Sequence, residues 1–106
     1  MIEARRLAPP ISPGSVLRKE VQTRLRITQD ELAQALGVSR HSVSELVNER
    51  RSITPDMALR LGYVLGTDPY FWLNLQRDVD LHNALMAFDD IRPKLKVLRE
   101  SGTGGK

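Results

Sequence analysis

A short polar segment contains the residues of this sequence that are best suited to contact another molecule. It opens with Ser39, Arg40 and His41, and Val43 and Leu46 give it an apolar side. Unpaired backbone N–H groups at a helix N-terminus attract phosphate, and Arg and His side chains can donate hydrogen bonds to base-edge acceptors in a major groove. If the segment is a helix, its polar side has the chemistry of a DNA contact.

The distribution of charge agrees with this interpretation. The chain has 106 residues, a formal net charge of +3 and a pI of about 9.7. Residues 1–51 contain 9 Lys and Arg against 6 Asp and Glu, whereas residues 52–106 contain 7 of each class. All of the excess positive charge lies in the half with the polar segment, which mildly favours a polyanionic partner for that half.

The composition also limits the class of protein. A chain of 106 residues can form one small domain with one modest core. It contains no cysteine, which excludes disulfides and thiolate chemistry. No apolar run approaches the length of a membrane span, and the N-terminal MIEARRLAPP lacks the apolar core of a signal peptide. We therefore expect a cytoplasmic protein that contacts no membrane and joins the nucleoid when bound to DNA.

Caps and terminators divide the chain into five predicted helices, the first at about 13–25, the fourth ending near Leu65 and the fifth near Phe88. Thr28 and Glu31 form a T-x-x-E capping box at the start of the second helix. The predicted N-caps are Ser12, Thr28, Ser39, Thr54 and Asp68, and the predicted C-terminal glycines are Gly37 and Gly66.

The predicted fold is all-α, because no strand pattern or internal repeat is present. Arg92 and Pro93 break the helical pattern, and the basic segment from Lys94 to Arg99 can form a last helical turn or two. The predicted organisation is a flexible N-terminal arm at 1–11, a helical domain with an extended C-terminal helix at 12–92, and a basic segment with a flexible tail at 93–106.

The second and third helices together resemble the helix-turn-helix of XRE-class repressors, which have the lambda-repressor-like fold. Counted from Gln29 as the first position, Ala33 falls at the fifth, Gly37 at the ninth and Val43 at the fifteenth. Leu32, Leu36, Val38 and Leu46 fill the other buried positions. An ordinary helical hairpin inside a bundle is the alternative interpretation.

Segments beyond this motif resemble HigA-type antitoxins. Ser-Pro-Gly at 12–14, Ile-Thr-Pro-Asp-Met-Ala-Leu-Arg-Leu at 53–61 and Phe-Trp-Leu-Asn-Leu-Gln at 71–76 follow the family's order, and the match covers about residues 12–82. The resemblance implies a dimeric repressor that binds operator double-stranded DNA. It also implies neutralisation of a HigB-type toxin, a ribosome-dependent mRNA endonuclease. A stand-alone XRE regulator and a protein-interaction scaffold without DNA binding are the alternatives.

Two positions depart from the family pattern. Ser12 stands where the family often has His, and Asn48-Glu49 stands where it usually has Asn-Gly. A left-handed turn at Glu49 would be strained, since glycine adopts that conformation without a steric penalty. We therefore expect the exit of the third helix to differ from that of the family.

The resemblance assigns DNA contacts to positions on and around the third helix. Arg40 is the favoured base contact, because Arg to guanine is the commonest specific pairing. Glu45 can accept from a cytosine amino group or pair with a nearby arginine, and the ion pair is favoured. The predicted DNA contacts are Gln29, Ser39, Arg40, His41, Ser44, Asn48, Arg50 and Arg51.

The predicted fifth helix has a wider apolar stripe than one core-facing side requires. Excess apolar surface on a small DNA-binding domain favours a homodimer, with burial in the monomer core as the alternative for Trp72. The predicted dimer contacts are Phe71, Trp72, Leu75, Leu81 and Leu85.

Enzymatic interpretations find little support. Asp78 and His82 have i,i+4 spacing, but two weak ligands do not make a metal site. Asp89-Asp90 is expected in a loop at a helix end, and the C-terminal GTGGK lacks the strand and helix that a phosphate loop requires. We therefore expect no enzymatic activity, no metal and no cofactor.

A toxin partner would have to bind away from the DNA and dimer surfaces. The N-terminal arm at 1–11 is the favoured surface, because Ile2, Leu7 and Ile11 can order on a partner. The segment from Lys94 to Arg99 is the second choice. HigB-type toxins are expected to be basic like this chain, so shape and apolar anchoring must contribute more than bulk charge.

Overall fold

A computed structural model of the chain describes residues 9–98, and these form α-helices without a β-strand, in agreement with the predicted fold. A π-helical segment, Glu20–Leu25, continues the first helix, and a 3-10 turn, Arg92–Lys94, follows the last one. The helices are α1 (Pro13–Lys19), α2 (Gln29–Leu36), α3 (Arg40–Val47), α4 (Pro55–Leu65) and α5 (Pro69–Ile91).

Each of the five helices begins at the predicted cap. The Oγ of Ser39 accepts a hydrogen bond from the backbone N of Ser42 at 3.1 Å. At α2 the capping box is complete, since Thr28 Oγ1 accepts from the N of Glu31 at 3.0 Å and Glu31 Oε1 accepts from the N of Thr28 at 2.8 Å. Such caps contribute about 1 kcal/mol each. The helix starts are therefore encoded locally.

The core is formed where α1, α2, α3 and α4 meet the first turns of α5. The most completely buried side chains are Trp72, Leu17, Leu32, Leu46, Leu61, Val43 and Val47. The indole Nε1 of Trp72 donates to Thr67 Oγ1 at 2.7 Å. The ring of Phe71 packs edge-on against the indole, with 5.1 Å between the ring centroids. Burial of Trp72 to 1% exposure corrects its prediction as a dimer contact, because α5 uses this residue to pack on its own core.

The second half of α5 extends beyond this core. The radius of gyration is 17.8 Å and the longest dimension is 54 Å, whereas a compact domain of this size has a radius of gyration of about 13 Å. Leu81 and Met86 are each 55% exposed on this half, and Ile91 is 48% exposed. The extended C-terminal helix is therefore confirmed, and the described part of the chain leaves Leu81, Met86 and Ile91 exposed on it.

The C-terminal boundary differs from the prediction. α5 ends at Ile91, three residues beyond Phe88, and the 3-10 turn ends at Lys94. Residues 95–98 have no regular structure, so the predicted helical turn there is wrong, because Pro93 removes a backbone donor. Arg99, the tail to Lys106 and residues 1–8 of the predicted arm lie outside the described residues.

Gly14 lets α1 approach α3 closely. A Cβ at this position would lie 2.3 Å from the backbone oxygen of Leu46 and 2.9 Å from Cγ of Glu49. Helix propensity alone favours Ala over Gly by about 1 kcal/mol. The clash with a backbone atom reverses that preference, since neither helix can move without opening the core.

We therefore expect Gly14→Ala to lower the free energy of unfolding by about 1–3 kcal/mol, measured by urea denaturation. The matched control is Gly66→Ala. This substitution also adds a Cβ, but no atom lies within 4 Å of the added Cβ. Only the left-handed φ of +73° at Gly66 therefore opposes the change. A Gly14→Ala variant at least as stable as the parent would contradict the close α1–α3 contact.

Candidate nucleic-acid interface

Helix α3 is held to the core along one side only. Val43, Leu46 and Val47 are at most 2% exposed, whereas Arg40 and His41 are exposed. The side chains of Arg40 and His41 have 66% and 78% of their surface open to solvent. Among residues 9–98, the polar side predicted from the sequence is therefore an exposed surface, which a groove of DNA can contact.

The predicted residues occur on three neighbouring parts of the chain. Gln29 is the first residue of α2, and Arg50 and Arg51 lie in the loop after α3. Arg40 Nε lies 3.6 Å from Asp30 Oδ1, which brings the start of α3 beside the start of α2. Along α3 and its exit lie Ser39, Arg40, His41, Ser44 and Asn48.

Glu45 joins the middle of α3 to the following loop. Its Oε1 accepts from Arg51 Nε at 2.9 Å, and its Oε2 lies 3.2 Å from His41 Nε2. The hydrogen bond from Arg51 is the main cause that lowers the pKa of Glu45 below its ordinary value; desolvation acts in the opposite direction, and the charge of His41 assists Arg51. The prediction that Glu45 pairs with an arginine is confirmed.

The C-terminal end of α3 is held by α1. Arg18 Nη2 donates to the backbone oxygen of Val47 at 2.5 Å and lies 3.3 Å from Asn48 Oδ1. Asn48 Nδ2 in turn donates to Ser44 Oγ at 3.3 Å. Arg18 thereby satisfies a carbonyl at the helix end and orients the amide of a predicted DNA contact. Arg18 was not predicted as a functional residue, because its partners are about 30 residues away and leave no local signal.

The exit of α3 keeps a left-handed turn, although the glutamate at this position predicted a different exit. Glu49 adopts the left-handed conformation with φ of 61°, although it is not glycine. Its backbone N donates to Leu46 O at 3.2 Å, and the N of Arg50 donates to Glu45 O at 2.8 Å. These bonds close the helix end and outweigh a backbone cost of about 1–2 kcal/mol.

Two further side chains position the motif from outside it. Arg60 Nη1 donates to Leu36 O at 2.8 Å and to Gly37 O at 3.3 Å, which ties the turn between α2 and α3 to α4. Gln76 Oε1 accepts from the backbone N of Ile53 at 2.8 Å, which ties the loop with Arg50 and Arg51 to α5. Neither role was predicted, since each bond joins residues more than 20 positions apart.

Other candidate sites do not assemble in the part of the chain that the structure describes. Between residues 9 and 98, no three His, Cys, Asp or Glu side chains lie close enough to hold a metal ion. Asp78 pairs with Arg77 at 3.1 Å. Within the same range, no helix combines the length and the apolar character needed to cross a bilayer.

Comparison with known proteins agrees with the geometry. Residues 17–72 match the model of a helix-turn-helix family. Antitoxin HigA-1 of Vibrio cholerae serotype O1 is 43% identical over 96 residues, which cover 87% of this chain and 90% of that protein. This chain belongs to the helix-turn-helix family that includes the HigA-type antitoxins. The resemblance stated from the sequence is therefore confirmed at the level of the family.

The match with this chain spans different shares of the length of two further relatives. The HTH-type transcriptional regulator YbaQ of Escherichia coli K12 is 47% identical over 72 residues, and this match spans 68% of the present chain but only 64% of YbaQ. The structure of Pseudomonas aeruginosa antitoxin HigA with the higBA promoter has a TM-score of 0.77 at 40% identity and covers 85% of this chain and 99% of that one.

Proposed function

We propose that this protein is a HigA-type antitoxin, a cytoplasmic dimeric repressor that binds operator DNA and neutralises a HigB-type toxin. The observation that carries the proposal is the exposed polar side of α3, presented by a fold that matches a HigA antitoxin solved with promoter DNA. Helix α3 would enter the major groove with its N-terminal residues against base edges. A reading frame for a toxin beside the gene separates this function from that of a stand-alone regulator.

The exposed cations of the interface differ in how freely they can reach DNA. Arg40 is the least restrained base reader, since its contact with Asp30 at 3.6 Å is too long for a hydrogen bond. In the described part of the chain, the side chain of Arg50 has no hydrogen bond or ion pair. Arg40 is therefore proposed to contact a guanine, and Arg50 a phosphate. Gln29, Ser39, His41, Ser44, Asn48 and Arg51 complete the proposed contacts.

The proposed dimer interface is the projecting half of α5. Leu81 is exposed and Leu85 half-buried there, and apolar side chains on a helix that leaves the core require cover from another chain. Phe71, which is 44% exposed, and the half-buried Leu75 are proposed for its edge. A two-fold dimer would place the two α3 helices about 34 Å apart, opposite half-sites one turn of DNA apart.

The proposed toxin surface remains the N-terminal arm. Of its predicted apolar anchors, Ile11 is described and is 66% exposed, while Ile2 and Leu7 lie outside the described residues. The alternative surface follows α5, where Leu95, Val97 and Leu98 are all more than half exposed. Both segments lie outside α2 and α3 in the sequence, so toxin binding there is proposed to leave the DNA contacts free.

Arg40→Ala should weaken operator binding by about 1–3 kcal/mol and relax the preference at one base pair in each half-site, because a base contact is lost. Arg50→Ala should instead weaken all DNA sequences alike and reduce the slope of log K against log salt by about one. Fluorescence titrations at several salt concentrations measure both effects. Equal binding of all sequences by Arg40→Ala and the parent would show that α3 does not read the bases.

Leu81→Glu or Leu85→Glu should convert the protein to a monomer in sedimentation equilibrium, because a buried carboxylate at the interface lacks a partner. Leu59→Glu is the matched control, since Leu59 is 62% exposed on α4 and outside the proposed interface. Circular dichroism verifies that each variant keeps its helices. Dimers of native helicity in both α5 variants would place the interface elsewhere.

Co-expression with the product of the adjacent reading frame should restore growth that this product alone inhibits, and the two proteins should co-purify. Deletion of residues 1–11 should weaken that complex while operator affinity stays unchanged, because the arm lies outside the helix-turn-helix. A harmless neighbouring product that does not co-purify would leave the stand-alone regulator. Full toxin affinity after the deletion would transfer the proposed surface to the segment from Lys94 to Arg99.

A further inference from the structure

One carboxylate engages two of the proposed DNA contacts at the same time. Glu45 lies on α3 between His41, one turn before it, and Arg51 in the loop after the helix. The oxygens divide the two partners: Oε1 accepts from Arg51 Nε at 2.9 Å, and Oε2 lies 3.2 Å from His41 Nε2. Glu45 thus links α3 to the loop with Arg50 and Arg51 through an ion pair on each side, and it was not among the predicted contacts.

The three side chains differ in how far they can move. The side chain of Glu45 has 28% of its surface exposed, against 46% for Arg51 and 78% for His41. Arg51 and His41 can therefore swing toward DNA, whereas the carboxylate stays close to the helix. The hydrogen bond from Arg51 also lowers the pKa of Glu45. A glutamate carboxylate is ionised at neutral pH even without this shift.

A carboxylate on a DNA-facing helix normally opposes binding, because it repels phosphate. The carboxylate of Glu45 also competes with phosphate for Arg51. The other exposed arginines of the interface are less restrained, since Arg40 has only the 3.6 Å contact with Asp30 and Arg50 has no ion pair within the described chain. The restraint by a carboxylate therefore falls mainly on Arg51.

We propose that Glu45 is a specificity-determining residue. It stays paired with Arg51 and His41 when the protein is on non-operator DNA, and phosphate replaces it as their partner only on the operator. This inference rests on the proposed DNA-binding function. On non-operator sequences, where α3 does not seat in the groove, Arg51 keeps its carboxylate partner and neutralises no phosphate. On the operator, base contacts bring a phosphate within reach, and Arg51 exchanges one anionic acceptor for another. Glu45 thus weakens wrong complexes more than the right one.

The test compares the parent with Glu45→Gln, which keeps the shape of the side chain and removes its charge. The specific probe is a duplex of about 30 bp that the parent selects from a randomised pool, long enough for two half-sites. The non-specific probe is the same duplex with its sequence scrambled. Glu20→Gln is the matched control, because Glu20 is 32% exposed and pairs with Arg24 on the π-helical segment, away from α3.

Glu45→Gln should bind the scrambled duplex about five- to tenfold more tightly, with a salt slope steeper by about one, because Arg51 becomes free to neutralise a phosphate. Affinity for the selected duplex should change by no more than about threefold, so the ratio of specific to non-specific binding falls. In an Arg51→Ala background, most of this effect of Glu45→Gln should disappear, since the restrained cation is absent. Glu20→Gln should leave the ratio unchanged.

The outcomes separate this inference from the proposed function. If the parent enriches no sequence from the pool, the proposed operator binding fails. If the parent discriminates but Glu45→Gln keeps its ratio, or changes it no more than Glu20→Gln does, the role of Glu45 is wrong. Loss of affinity for the selected duplex alone would make Glu45 a reader of cytosine and would also overturn the proposal. Melting curves verify that every variant is folded during the titrations.

Discussion

Helix α3 can present a polar side to DNA only because its other side is packed against α1 and α2. Val43, Leu46 and Val47 insert into the core, and Gly14 allows the backbone of α1 to reach the carbonyl of Leu46. A helix of eight residues is too short to be stable alone in water. The position of the DNA-facing side chains therefore depends on this contact more than on anything within α3.

A second set of interactions positions the ends of the motif. Arg18 holds the C-terminal carbonyl of α3, Arg60 holds the carbonyls at the end of α2, and Gln76 holds the loop after α3. Each donor or acceptor comes from a helix outside the motif. Because α5 supplies Gln76 and also the proposed dimer surface, one helix holds the loop with Arg50 and Arg51 and would set the spacing of the two such loops in the proposed dimer.

At the proposed interface, carboxylates lie close to some of the positively charged side chains. The half of the chain with the interface has the excess of basic residues, yet Arg51 is paired with Glu45 and Arg40 lies near Asp30. Paired cations contribute less to binding of arbitrary DNA than free ones, because phosphate must first displace a carboxylate. Pairing Arg51 with Glu45 is therefore expected to lower the affinity for arbitrary DNA, although this half of the chain is basic.

The sequence alone determined the helices and the chemistry of the exposed side of α3. Caps such as Thr28 and Ser39 act on atoms three residues away, and apolar spacing reports which side of a helix is buried, so both can be predicted before the fold is known. The same locality explains why the pairing of Glu45 with an arginine was foreseen, since Arg51 is only six residues away.

Only the tertiary structure decided which apolar residues of α5 pack in the core and which stay exposed. It also decided how the two ends of α3 are held. Trp72 belongs to the core and Leu81 is exposed because α4 covers the first turns of α5 and no described helix covers the later ones. Arg18 meets Val47 across 29 residues, and Glu49 accepts a left-handed backbone because surrounding hydrogen bonds outweigh its strain. Such contacts depend on how helices cross, and crossing geometry is a property of the whole packed chain rather than of any local stretch of residues.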